Sequence, residues 1–490
     1  MTAQKFPTEL PQDVPTGLFI GGEFRDGSDG GTLEVYNPSD GTVLATVASA
    51  SKDDAREALD KAVEVQEQWA ATSTRERSEI LRKAFELIHE HGEELALIQS
   101  LELGRALKDS QGEVAYAAEF FRWFAEEAVR VRGDYRESPA GNARIVVRHV
   151  PVGPCLAVTP WNFPLAMGAR KLAPALAAGC TMVVKPASKT PLTMLYLAKL
   201  LQEAGVPDGV VAVLPSNKAS NVSSLLEDER LRKFTFTGST EIGQMLAQKA
   251  AEKSIRVSLE LGGNAPYVVL DDADMDTAVE AVATAKMRGA GQVCIAANRF
   301  LVQESIAEEF TERVVERMKQ LRQGPATLED VDYAALSGTD QVETVSKLVD
   351  DALERGATRF LGDALPEGLP EDGYYYPLTV LGNIPEGSEI LDNEIFGPVI
   401  AVTTFTSDEE AVRKANDTQF GLAAYVFSSG LERALNVAEK IEAGMVAVNK
   451  GALSDPAAPF GGVKQSGIGR EGGFEGIHEF LDTQFISLPK

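Results

Sequence analysis

From Val152 onward the chain alternates short apolar runs with longer amphipathic stretches, and this rhythm predicts an α/β fold. Runs at 156–159, 182–185, 210–214, 234–236 and 257–259 are separated by helical segments of about 10–15 residues. That order predicts a doubly wound, mostly parallel sheet, whose ligands lie beyond the carboxyl ends of the strands. Thr159, Lys185 and Gly238 occupy such ends. A second α/β set follows at 267–270, 300–302, 399–402 and 446–449. Upstream, residues 18–47 alternate in hairpin fashion, broken by Asp26-Gly27 and Asp40-Gly41. A helix opens after Ser51, with Asp54 as the acidic partner of a capping box, and amphipathic helices cover about 74–91 and 112–131. Residues 131–149 read as a hairpin leaving the first domain. With the strand-like 483–488 it would form an exposed edge, which a second copy of the chain would cover.

Length and charge narrow the classes. At 490 residues the chain exceeds one ordinary core, so two or three domains are expected. Its 73 acids against 47 bases give a net charge of −26, a field that repels nucleic acid and anionic membrane surfaces. An anionic substrate would need a local basic patch to overcome it. No run of about 18 apolar residues occurs, and residues 1–17 are polar and proline-containing, so a cytoplasmic location is expected. Cys155, Cys180 and Cys294 form no disulfide pattern, and with four scattered histidines they offer no metal-ligand spacing; no metal is expected.

Four local patterns carry candidate chemistry. In Gly291-Gln-Val-Cys294-Ile-Ala-Ala-Asn298 a cysteine follows Gly289 and Gly291, which permit close backbone approach to a ligand. Cys155 and Cys180, inside or beside apolar runs, read as packing residues, and Cys294 taken alone can be read the same way. In Leu259-Glu260-Leu-Gly-Gly-Asn264 a carboxylate ends a strand; it is either an acid facing water or a buried general base of raised pKa. In Thr159-Pro160-Trp161-Asn162-Phe-Pro164 the amide of Asn162 is either a turn residue or a donor to a developing oxyanion. In Phe236-Thr-Gly238-Ser239-Thr240 a strand runs into a helix start, where backbone N–H groups and the Ser239 hydroxyl can hold a pyrophosphate.

Taken together and in this order, with Lys185-Pro-Ala-Ser188, Glu394-Ile-Phe-Gly-Pro398 and the 459–467 stretch, the patterns resemble the aldehyde dehydrogenase superfamily over nearly the whole chain. The resemblance implies a dinucleotide-binding domain at 1–130 and 150–260, a catalytic domain at 261–450, and an oligomerisation extension at 131–149 and 470–490. A homodimer or homotetramer is implied. It further implies that the Cys294 thiolate attacks an aldehyde, that Asn162 and the Cys294 N–H stabilise the oxyanion, and that Glu260 activates the water that hydrolyses the thioester. Lys171 and Glu471 match positions that relay protons from that base; an ordinary salt bridge is the alternative.

For the cofactor, the family places Lys185 on the adenosine ribose, Ser239 and Gly238 at the pyrophosphate, and Glu394 on the nicotinamide ribose beside Phe396. Thr159, Pro160, Trp161, Leu261 and Gly262 belong to the same cleft. Three residues after Lys185, members that prefer NAD commonly carry Glu; here Ser188 is followed by Lys189, which favours a 2′-phosphate and hence NADP, with NAD as the alternative. Within the family the chain resembles the succinate-semialdehyde dehydrogenases. Arg170 stands where many members acting on uncharged aldehydes have an aromatic residue. Arg288 lies six residues before the nucleophile, and Ser454 matches the third position that holds the far carboxylate. Such a clamp supplies the local basic patch, and glutarate semialdehyde would satisfy it too. An uncharged or aromatic aldehyde would want apolar residues at those positions. Ala296 replaces the second cysteine that some members use as a redox switch, so disulfide control is not expected.

Overall fold

Apolar runs become the strands, and the amphipathic stretches between them become helices that cover the sheet faces. The computed structural model describes residues 6–490; the first five residues of the polar opening stretch lie outside the described residues. One eight-stranded sheet runs Gly467–Ile468, Arg256–Glu260, Lys233–Thr237, Cys155–Val158, Met182–Lys185, Val211–Val213, Leu18–Ile20, Glu23–Arg25. From Arg256–Glu260 to Val211–Val213 all neighbours are parallel. The chain builds one side from Cys155–Val158 outward, then returns to start the other side at Lys233–Thr237. This reversal opens a crevice at the carboxyl ends of those two strands, where Thr159 and Gly238 follow.

A seven-stranded sheet runs Thr358–Leu361, Thr379–Gly382, Val399–Phe405, Ala297–Gln303, Ala265–Val269, Ala423–Phe427, Met445–Val448. All its pairs are parallel except the first. A third, antiparallel sheet pairs Leu481–Pro489 with Ala143–Pro151 and that strand with Asp134–Glu137. Its apolar side chains are open to solvent, with Tyr135 62% and Phe485 61% exposed.

The N-terminal segment differs from its prediction. It forms two hairpins, and one of the two expected turns is displaced. The first closes at Gly21-Gly22 instead of Asp26-Gly27, because Leu18–Ile20 is buried on both faces within the large sheet. The second, Thr32–Tyr36 with Val43–Ala48, turns at Asp40-Gly41 as read. Helix α1 (Lys52–Ala71) carries the expected capping box between Ser51 and Asp54. It is followed by α2 (Thr74–Glu90), α3 (Gly92–Leu103) and α4 (Leu107–Glu127). The sequence reading missed α3, since its near-continuous burial leaves no polar face to mark a period. It also placed the start of α4 five residues late. Helix α5 (Ala166–Ala178) is buried along its whole length, including Arg170 and Lys171.

Candidate active site

The loop that carries Cys294, the expected nucleophile, is shaped by backbone crowding. Gly289, Ala290 and Gly291 all have positive φ (56°, 54° and 77°). A Cβ on Gly291 would stand 2.2 Å from the Gly397 carbonyl oxygen. The glycine therefore admits a neighbouring backbone, where the sequence reading had expected it to admit a ligand. Gly263, just past the Glu260 strand, likewise passes the Cys294 carbonyl, which a Cβ there would meet at 2.5 Å. Cys294 keeps partial exposure, whereas Cys155 and Cys180 are fully buried packing thiols. Burial pushes the Cys294 thiol up to about 12; Arg170 opposes that shift, Glu394 and Glu260 add to it, and Arg288 opposes it. The resting sulfur is therefore protonated, and attack needs a proton acceptor.

Glu260 ends its strand in a buried position, and its Oε2 has no partner. Burial and the charge of Glu471 hold its carboxyl well above the usual range, against the pull of Arg170, Lys171 and Arg470. Glu471 accepts a hydrogen bond from Lys171 Nζ, which also donates to Thr237 Oγ1 at 2.7 Å. Arg170 Nε lies 2.8 Å from Glu471 Oε2, a close ion pair whose N–H is not aligned as a hydrogen bond. Burial would raise the Glu471 carboxyl, but Lys171 and Arg170 outweigh it and keep the acid ionised. Burial lowers the Lys171 ammonium. Two carboxyls in one cluster are thus driven apart in pKa, one toward the acid form and one toward the base form.

The three positions expected to hold the substrate carboxylate converge. The hydroxyl of Tyr116, from α4, lies among Arg170, Ser454 and Arg288, yet it is buried with no aligned hydrogen-bond partner. The Arg170 guanidinium carbon sits 4.0 Å over the Phe460 ring, and that of Arg288 5.6 Å over Phe163. Sequence reasoning missed Tyr116. Its only trace was a phenol on the buried side of an amphipathic helix.

The cofactor positions also gather along the crevice. Ser239 caps the helix Thr240–Glu252, and its side chain makes no capping bond. Gly238 N donates to Glu260 O at 3.0 Å. Lys185 is buried with only the Pro186 carbonyl as acceptor, at 3.0 Å, and burial lowers its ammonium to about 8. Glu394 has an orphaned buried Oε1, and burial raises its carboxyl to about 8. A Cβ on Gly262 would stand 3.0 Å from Glu394 Oε2. Leu261 N donates to Ser466 O at 2.9 Å, which fixes the crevice wall, and Trp161 meets Phe396 edge-on at 5.4 Å. A free helix N-terminus, a buried lysine with no carboxylate partner among the described residues and a carboxyl with an orphaned oxygen fit the pyrophosphate and ribose hydroxyls of a dinucleotide. Lys189 departs from expectation. Its Nζ is 2.7 and 2.9 Å from the carboxylate oxygens of Asp340, so it is not the unengaged cation that the sequence reading assumed. Ser188 Oγ donates to Ser216 O at 3.2 Å.

Residues 24–486 match the sequence profile of the aldehyde dehydrogenase family, and the chain belongs to that family of oxidoreductases. The chain is 52% identical to a succinate-semialdehyde dehydrogenase of Paenarthrobacter nicotinovorans, over 91% of this chain and 99% of that one. It is 40% identical to a glutarate-semialdehyde dehydrogenase of Pseudomonas putida, over 96% of this chain and 97% of that one. The crystal structure of an NADP-dependent enzyme of Escherichia coli superposes with a TM-score of 0.95 at 40% identity, covering 97% of this chain and 98% of the other. Members of the family use NAD(P). Among the described residues, no helix is long and apolar enough to cross a membrane.

Proposed function

We propose that the protein oxidises succinate semialdehyde, or a similarly short carboxylated aldehyde, to the dicarboxylate with NADP. The observation that carries this reading is the meeting of Arg170, Arg288 and Ser454 around the Tyr116 hydroxyl, with both guanidiniums acting electrostatically on Cys294. Two cations and a hydroxyl close to the nucleophile bind a carboxylate by charge-assisted hydrogen bonds and leave the aldehyde end at the sulfur.

The partly exposed Cys294 thiol gives up its proton to solvent water, and the thiolate attacks the aldehyde carbon, forming a thiohemiacetal. The side-chain amide of Asn162 and the N–H of Cys294 receive the oxyanion. A bound dinucleotide, held by Lys185, Gly238, Ser239 and Glu394, supplies the hydride acceptor. Glu260 then takes a proton from the water that splits the thioester, and Lys171 and Glu471 carry that proton away. The NADP preference rests on Ser188, a position with no carboxylate to repel a 2′-phosphate; NAD serves as the weaker alternative. The exposed apolar face of the three-stranded sheet is assigned to contact with a second copy, in a homodimer or homotetramer.

Initial rates with succinate semialdehyde and with butanal, each with NADP and NAD, test the reading. A preference for the acid of about 100-fold corresponds to roughly 2.7 kcal/mol of transition-state binding. Equal rates would sink the substrate assignment. Glutarate semialdehyde is the second reading, favoured by the Pseudomonas putida relative, and belongs in the same series.

A further inference from the structure

We infer that Arg105 and Glu113 are positioning residues for the oxyanion donor, and that the start of α4 sets Asn162 against the Cys294 loop. The inference rests on the proposed role of Asn162.

Both side chains are buried, with Arg105 4% and Glu113 2% exposed, and they form an ion pair with each other. A buried pair is weak evidence for stability, since desolvation offsets most of its Coulombic gain. What the pair holds is more informative. Glu113 Oε1 accepts the N–H groups of Leu165 and Ala166, each at 2.9 Å, at the start of α5. Its Oε2 pairs with Arg105, whose other terminal nitrogen donates to the carbonyl of Asn162. The same guanidinium covers the Phe163 ring at 4.2 Å. One pair of side chains thus grips the loop at residues 162, 163, 165 and 166.

The Cys294 loop is tied to the same helix, one turn before Glu113. Asp109, in the first turn of α4, accepts the Gly289 N–H at 2.7 Å. Gln292 donates to Gly289 O at 3.1 Å and accepts Ser337 N–H at 2.9 Å. Between the two loops a direct bond runs from Asn162 Nδ2 to Gln292 O, 3.0 Å long and two residues before Cys294. A side-chain amide is planar, with two N–H bonds in fixed directions. Once one of them is committed to Gln292 and the main-chain carbonyl of Asn162 is held by Arg105, the direction of the second is fixed. That second N–H is the donor available to the oxyanion.

The test is a double-mutant comparison with intact protein. Arg105→Met and Glu113→Gln are each made alone and with Asn162→Ala, and kcat/KM for the aldehyde, KM for the cofactor and alkylation of Cys294 by iodoacetamide are measured. Asn162→Ala alone should lower kcat/KM on the order of 100-fold. Arg105→Met should lower it about tenfold or more, since small displacements of catalytic groups are costly. In the Asn162→Ala background neither Arg105→Met nor Glu113→Gln should reduce it further by more than about twofold. Cofactor KM and alkylation, which needs no oxyanion donor, should stay within about twofold throughout.

The inference is overturned if Arg105→Met lowers kcat/KM equally with and without Asn162, or does not lower it at all. Full activity of Asn162→Ala would instead remove the donor role on which the inference stands. Glu113→Gln keeps an oxygen for the two N–H groups and removes the charge that orients Arg105, so it carries the comparison should Arg105→Met not fold. Failure of both to fold would mark the pair as a fold determinant and overturn the inference as well.

Discussion

Arg170 Nε stands 2.8 Å from Glu471 Oε2, so a guanidinium assigned to the substrate carboxylate also steadies the acid whose charge bears on Glu260. Among the described residues Arg288 forms no ion pair with a carboxylate, and its buried Nε has no hydrogen-bond partner. The two arginines should therefore fail differently. Arg288→Leu should lower kcat/KM for succinate semialdehyde by about 10–100-fold and leave butanal within about twofold, the loss expected for one charge-assisted contact. Arg170→Leu should impair both aldehydes, because it also disturbs the base cluster. Selectivity unchanged by Arg288→Leu would count against the clamp.

The pH profile of kcat should climb through neutral and alkaline pH. Burial and Glu471 hold Glu260 well above the usual carboxylate range, so its base form fills only as pH rises. Glu471→Gln removes one raising charge and leaves Arg170 and Lys171, which both favour the carboxylate, without their partner. The acid limb should move to lower pH by about one unit or more. A limb that stays put or moves upward would show that Glu260 does not set it.

Alkylation of the apoprotein reports the thiol directly, since Cys155 and Cys180 are fully buried. With the Cys294 thiol pushed up to about 12, reaction with iodoacetamide should be slow at neutral pH. It should rise about tenfold per pH unit, following the thiolate fraction. Arg288→Leu removes a lowering influence and should slow it further. A rate already at its plateau at neutral pH would contradict this electrostatic picture.

Lys189 and Asp340 give a test of cofactor choice. Asp340→Asn releases the Lys189 ammonium, which then becomes available to a phosphate beside Ser188. KM for NADP should fall about threefold to tenfold relative to KM for NAD, the range of a partly exposed charge contact. Equal changes in both would remove Lys189 from the 2′-phosphate question.

The sequence made the crevice legible because parallel strands buried on both faces are short apolar runs, and their ends carry Thr159, Lys185, Gly238 and Glu260. Strand Ala423–Phe427 was missed, as two alanines shorten its apolar signature, and so was Thr379–Gly382, only four residues long. Residues within motifs could be proposed for the site from the sequence; those held by distant contacts could not. Nothing near Arg105 or Glu113 in the chain points to Asn162, 57 positions from Arg105. Lys189 shows the same blindness to distance, since its ion-pair partner Asp340 lies 151 positions away.

The strand Leu481–Pro489 lies along Ala143–Pro151 for its whole length, and the side-chain bond from Arg148 to Gln484 joins residues 336 positions apart. During synthesis, Ala143–Pro151 must wait for most of the chain with one edge unpaired. Pairing over such a separation makes a slow, late step, and the waiting edge is a site for aggregation. Refolding of the whole chain should accordingly be slow and concentration-sensitive, with this strand docking after the two parallel sheets have formed.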